Sequence, residues 1–165
     1  MDNGAKGRGA GINTRNRFSK LETEYISEEW QRWDDLSPNP KTRFIEEESK
    51  SLLSSSNSPD LGHFHSINPY RGCEHGCIYC YARNSHEFWG FSAGLDFETK
   101  IIVKKNAPQL LEKLFNSKNW QPACIHLSGN TDCYQPGEKT YKLTGNCFRS
   151  VSDTEILSVY LQKML

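Results

Sequence analysis

Apolar and polar positions separate this chain into a few short patterned stretches joined by polar ones. Over residues 63–70 an F-x-x-I pattern closes on Asn68 and Pro69, which predicts a short strand running into a loop. The β-branched run at 100–104 predicts a second strand. Asn106 can cap the helix that follows, with Pro108 in its first turn and Leu110, Leu111, Leu114 and Phe115 as one apolar stripe. Pro122 precedes a third strand over 123–127, which runs into the polar loop Ser128, Gly129, Asn130, Thr131 and Asp132. Strand, helix, strand and polar loop make a βαβ rhythm. The expected fold class is therefore α/β, with a parallel sheet and a site at the strand C-terminal ends.

The two ends of the chain lack this rhythm. Residues 1–20 hold four glycines and a scatter of basic side chains, Lys6, Arg8, Arg15, Arg17 and Lys20. The run from Gly7 to Gly11 is superficially a phosphate loop, but no strand precedes it and no apolar helix follows, so a flexible arm is expected. Residues 21–36 are charged and aromatic, with Tyr25, Trp30 and Trp33 loosely on one helical face or on an extended arm. Pro38 and Pro40 end that stretch. Residues 54–59 are serine-rich and predict a polar linker. The expected organisation is an extended or disordered arm and linker over 1–60, a folded domain over 61–150, and a separate C-terminal helix over 151–165. In that last segment Ser152 and Glu155 have capping-box spacing, and Ile156, Leu157, Tyr160, Leu161, Met164 and Leu165 form the apolar stripe.

Composition narrows the possibilities. With 165 residues, 36% of them hydrophobic, the chain is long enough for one packed domain. Its formal net charge is zero, which gives no electrostatic reason to expect a nucleic-acid-coating or membrane-surface protein. No run approaches the roughly 18–20 apolar residues a membrane span needs. Met1, Asp2, Asn3 and Gly4 begin no apolar signal core, so a cytoplasmic, reducing setting is expected. There, the six cysteines read as metal-binding or catalytic groups in preference to disulfides.

Three of those cysteines, Cys73, Cys77 and Cys80, fall in the stretch 68–83, N-P-Y-R-G-C-E-H-G-C-I-Y-C-Y-A-R. Gly72 and Gly76 give the backbone freedom to wrap closely around a ligand. A structural zinc wants four ligands, usually in two pairs, and here a fourth would have to come from His65, His75, His86, Cys124 or Cys133. There is no second C-x2-C pair. Three thiolates suit a [4Fe–4S] cluster with one iron left open, so a catalytic cluster is preferred; a non-catalytic zinc-binding or interaction module is the alternative. Cys124 and Cys133 read as packed thiols, and His75 as a surface residue or a neighbour of the cluster.

The array Cys73-x3-Cys77-x2-Cys80, with Tyr79 before the third cysteine, resembles the signature of the radical S-adenosylmethionine (SAM) enzymes. The longer run 68–83, together with L-D-F-E-T-K at 95–100 and T-D-C-Y-Q-P at 131–136, resembles the spore photoproduct lyase-related subgroup, the DNA repair photolyase-like proteins. The likeness extends from the arm around Lys6 and Arg17 to about Cys147. It implies the N-terminal portion of a partial (β/α) radical SAM barrel. It also implies a [4Fe–4S] cluster on Cys73, Cys77 and Cys80, whose open iron is chelated by the SAM amine and carboxylate. One electron would then cleave a carbon–sulfur bond, giving methionine and a 5′-deoxyadenosyl radical that abstracts hydrogen from a substrate. Tyr79 would lie near the adenine. The loop acceptors Ser128, Asn130, Thr131 and Asp132 would face the SAM ammonium, although residues of these types after a strand also cap helices and make Asx turns. The partners implied are a flavodoxin- or ferredoxin-like reductant and, by family analogy alone, nucleic acid.

The same resemblance raises an expectation about the tail. Members of the subgroup carry a strand after the helix near residue 150, which the written tail does not resemble. An alternative codon frame over 152–165 permits R-Y-R-N-P-V-S-I-F-T-K-N-A, which does. A C-terminally truncated or frameshifted member is therefore expected, with the final helix accidental and turnover in doubt.

Overall fold

The computed structural model describes residues 7–19, 40–60, 62–121, 123 and 125–152. These form a mixed α/β structure with two small sheets. The strands are β1 (Arg43–Glu47), β2 (Leu53–Ser58), β3 (Gly62–Ile67), β4 (Tyr70–Arg71), β5 (Lys100–Lys104) and β6 (Ile125–Leu127). A 3₁₀ segment spans Tyr81–Trp89, and the α-helices are α1 (Leu95–Thr99), α2 (Ala107–Phe115), α3 (Glu138–Tyr141) and α4 (Leu143–Ser152). One sheet has the order β1-β5-β4 and the other β2-β3-β6. The stretch 21–36, read as a helical face or an extended arm, lies outside the described residues, as does the 151–165 segment beyond the end of α4.

The chain divides into two compact units. One holds the described residues of Met1–Phe44 and Gly72–Ile101, the other those of Ile45–Arg71 and Ile102–Leu165. In the second unit β2 and β3 make an antiparallel hairpin from Leu53↔Ile67 to Ser58↔Gly62, and β3 pairs in parallel with β6. Leu52, Ile67, Ile125 and Leu127 pack there against Ala107, Leu111 and Phe115 of α2 and against Cys147 of α4. Burying each large aliphatic side chain contributes on the order of 1.5–3 kcal/mol, so this cluster is the main apolar core. The first unit has a much smaller one, Cys73, Ala82 and Phe97 with Cys80 against them.

Several expectations change here. Residues 53–58 are a strand, although serine has little strand propensity; pairing with β3 sets the conformation, and Ser55 Oγ lies 2.8 Å from His65 Nδ1. The boundary expected near residue 61 therefore cuts through a hairpin. The stretch 100–104 is a strand and 107–115 a helix, as the pattern predicts. Asn106 does not cap that helix with its side chain. Its Oδ1 accepts from Ser49 N at 3.0 Å and its Nδ2 donates to Ser49 O at 2.8 Å, tying the loop before β2 to the helix start. The strand–helix–strand rhythm exists, but β5 and β6 belong to different sheets, and the parallel pair is β3 with β6. Periodicity specifies the type of an element and leaves its partner to tertiary packing.

The expected flexible arm also changes. Within the first unit, residues 8–17 are fixed by polar contacts rather than by apolar burial. Arg8 donates to Glu98 O, Pro40 O and Thr42 Oγ1; Asn13 exchanges two hydrogen bonds with Asp96; and Asn16 Nδ2 donates to Glu87 O and Phe91 O. Composition alone does not register such order, since it counts apolar area and not directed hydrogen bonds.

Candidate functional site

The cysteine loop belongs to the first unit. Cys73 is buried, Cys80 half-buried and Cys77 exposed, and none is in a disulfide. Its turns are closed by the backbone: Cys73 N donates to Phe97 O at 2.9 Å, Gly76 N to Cys73 O at 3.4 Å and Cys80 N to Cys77 O at 3.2 Å. The loop then runs into the 3₁₀ segment, whose Arg83 turns back under it. That guanidinium donates to Cys77 O at 2.9 Å, Gly76 O at 3.0 Å and Gly94 O at 3.0 Å, and pairs with the carboxylate of Glu98.

Glu98, on α1, has 0% of its surface exposed. Besides Arg83, its two oxygens accept from Gly9 N at 2.9 Å and Ala10 N at 2.7 Å. A single buried carboxylate thus joins the arm to the guanidinium that holds the loop carbonyls. Such a pair is tolerated in a dry site because hydrogen bonds complete its lone pairs. Gly76 permits the approach: its φ is +66°, and a Cβ there would come within 2.6 Å of Glu98 Oε2. Asp96 and Glu87 repeat the arrangement at smaller scale, the first with Asn13, the second with Arg17 at 2.5 Å.

His86 lies inside this frame, 1% exposed and flanked by the Phe91 and Phe97 rings at 5.1 and 5.6 Å. Neither ring nitrogen makes a hydrogen bond of good geometry. Burial lowers its pKa to about 4, with the Lys100 backbone and the Asp96 carboxylate pulling weakly the other way. The folded form therefore holds His86 neutral where the unfolded chain, with its ordinary value of 6.5, takes up a proton. The stability this contributes is complete above pH 6.5 and is lost as pH falls towards about 4. At full extent the loss is about 3 kcal/mol. Denaturant midpoints of wild type and His86→Phe measured from pH 7 to 4 are expected to converge or cross as pH falls. A constant difference across that range would show that His86 does not titrate on unfolding.

The loop after β6 belongs to the second unit. Ser128 has a left-handed backbone, φ +69°, and its N–H donates to Ile67 O at 2.9 Å. Asn68 Oδ1 accepts from Asn130 N at 2.9 Å and from Thr131 N at 3.5 Å, and Thr131 Oγ1 donates to Tyr70 O at 2.8 Å. Asp132 Oδ1 accepts from Tyr134 N at 2.8 Å, an Asx turn. The four expected acceptors thus lie on one ordered loop, with Gly129 between the first two. The Thr131 hydroxyl proton is committed to the backbone, and Asp132 fills the local turn role that its residue type also allows. Cys133 and Cys147 are packed thiols: burial raises both pKa values, the second to about 12. Cys124, the other residue read as a packed thiol, lies outside the described residues.

Of the other site residues, Tyr79 is 87% exposed on the cysteine loop, with Ile78 beside it also exposed. Among the described residues no three His, Cys, Asp or Glu side chains are drawn together to hold a single metal ion. A four-iron cluster imposes a different requirement, one thiolate on each of several irons. The loop meets it in kind: three thiol-bearing residues on a short turn whose backbone carbonyls are already engaged, with one thiol at the surface. Sequence reasoning missed Arg83, Glu98 and Asn68 as positioning residues. The signal available was an acidic residue between Phe97 and Thr99 in an otherwise small and aromatic stretch, where burial would demand a basic partner.

No family model matches the chain, and no solved structure matches it. It is similar to uncharacterized proteins. Over 87 residues it is 39% identical to one from Mycobacterium tuberculosis (strain ATCC 25618 / H37Rv) and, equally, to one from Mycobacterium bovis, covering 53% of this chain and 26% of each relative. Over 122 residues it is 30% identical to one from Methanocaldococcus jannaschii, covering 73% of this chain and 43% of that protein. The matched part thus spans from about a quarter to less than half of the length of these relatives.

Proposed function

We propose that this chain carries the cluster-binding part of a radical SAM protein, the N-terminal portion of a partial (β/α) barrel, with Cys73, Cys77 and Cys80 holding a [4Fe–4S] cluster. The observation that carries this reading is the support of the loop. Arg83, paired with Glu98, holds the carbonyls of Gly76 and Cys77, so the loop that carries the three cysteines takes its geometry from this frame. When bound with SAM, such a cluster supplies one-electron reductive cleavage of a carbon–sulfur bond. The chain's own residues position and shield. Arg83 fixes the carbonyls of Gly76 and Cys77 with its side chain and that of Cys80 with its own N–H at 3.4 Å, and Phe97 packs against Cys73. Tyr79, exposed on the same loop, supplies an aromatic face for an adenine. Ser128, Asn130, Thr131 and Asp132 supply oxygen acceptors suited to an ammonium. The reading requires an external one-electron donor, a flavodoxin- or ferredoxin-like protein.

Anaerobic reconstitution with iron and sulfide is the test. The full chain is expected to take up about four irons, one cluster per chain. The product should show a broad sulfide-to-iron band in the visible and, once reduced, an EPR signal that changes on adding SAM. Stoichiometric zinc with no iron uptake would replace this reading with a zinc-binding module.

A further inference from the structure

The edges of the two sheets are β1 and β4 in one, β2 and β6 in the other. An exposed edge is a template for a further strand, and proteins blunt it with charge, proline or brevity. β1 carries Arg43, Glu46 and Glu47, while β4 and β6 have only 2 and 3 residues. β2 is different. It runs 6 residues, L-S-S-S-N-S, with no charge and no proline, and Ser54, Ser55, Ser56 and Asn57 are exposed. Among the described residues no strand pairs with its outer edge.

The hairpin register decides which backbone groups that edge offers. Ser58 and Gly62 are its last pair before the turn, and they exchange hydrogen bonds with each other. The other antiparallel pattern would need an N–H from residue 59, which is Pro59 and has none. Hydrogen-bonded pairs alternate along an antiparallel ladder, so Ser54 and Ser56 also spend their N–H and C=O groups on β3. Those of Leu53, Ser55 and Asn57 point outward, away from β3.

We infer that β2 is the pairing edge of a two-fold symmetric dimer, in which it runs antiparallel to β2 of a second copy of this chain. Centred on Ser55, the pairing matches outward residues with outward residues. Ser55 meets the partner's Ser55, and Leu53 meets the partner's Asn57, an exchange of about six hydrogen bonds. Ser54 then stands beside the partner's Ser56, so small neutral side chains meet along the strand and no like charges oppose each other. Past the strand ends the same register brings Lys50 alongside the partner's Asp60, once on each side of the axis, and both residues are exposed. The edge is thus complementary to itself in spacing and in charge, which makes a second copy the occupant. One strand pair is a small contact, so the dimer is a weak one. It rests on the second unit alone and does not depend on the cysteines carrying a cluster.

The test is sedimentation velocity of the full chain over a rising concentration series. Wild type is expected to pass from monomer to dimer. Asn57→Pro deletes an outward N–H and spares the β2–β3 ladder, so it is expected to stay monomeric with an unchanged circular dichroism spectrum. Lys50→Glu is the second variant, at an exposed position outside the strand. It sets like charges together on both sides of the axis and is expected to weaken the dimer about tenfold. Adding Asp60→Lys to Lys50→Glu restores opposite charges and is expected to recover the affinity. Wild type that stays monomeric throughout, Asn57→Pro that dimerises as wild type does, or a double variant no tighter than Lys50→Glu overturns the pairing.

Discussion

Cys77→Ala is expected to abolish cluster assembly while leaving the fold intact. Cys77 is exposed, so its thiol contributes little packing, and substitutions of this kind usually change stability by no more than about 0.5 kcal/mol. Its carbonyl, which Arg83 holds at 2.9 Å, is retained in the variant. After the same anaerobic reconstitution, iron content and the visible band should fall to background, with the denaturant midpoint unchanged. Cys73→Ala is expected to lose the cluster and to destabilise as well, because Cys73 packs with Ala82 and Phe97. The pair of variants separates ligand from scaffold. Undiminished iron in Cys77→Ala would mean that this thiol is not a ligand.

The cysteine array was the most legible feature of the sequence, and the frame that supports it the least. Three cysteines at C-x3-C-x2-C are readable because such a spacing is local. The strand at 100–104 and the helix at 107–115 are readable for the same reason, each carrying its own period. What holds the cysteine loop is not local: Glu98 joins Gly9, Ala10 and Arg83 across separations of 15 to 89 residues. No window along the chain contains that relation. The serine strand at 53–58 was illegible for a related reason, since its conformation comes from pairing with Gly62–Ile67 rather than from its own side chains. Asn106 shows the limit of a correct local signal. A helix does begin after it, yet its side chain serves Ser49 instead of the helix end.

Glu98→Gln is expected to destabilise the first unit by about 3–5 kcal/mol, the usual consequence of leaving one member of a buried ion pair uncompensated. Glutamine keeps the size and one acceptor oxygen, so the loss isolates charge from volume. Arg83→Met should cost a similar amount by stranding the carboxylate and freeing the carbonyls of Gly76, Cys77 and Gly94. For an ion pair with no other duties, replacing both members by apolar residues is often neutral. That recovery is not expected here, because Gly9 N and Ala10 N would lose their acceptor at the same time. The double variant should therefore remain about as unstable as either single one, far from the sum of the two. Hydrogen exchange gives an independent readout. The Gly9 and Ala10 amides are expected to be protected in wild type and to exchange rapidly in Glu98→Gln, together with the amides of Gly76 and Cys80 that close the cysteine loop. A Glu98→Gln protein within about 0.5 kcal/mol of wild type, with those amides still protected, would show that the carboxylate does not hold arm and loop together.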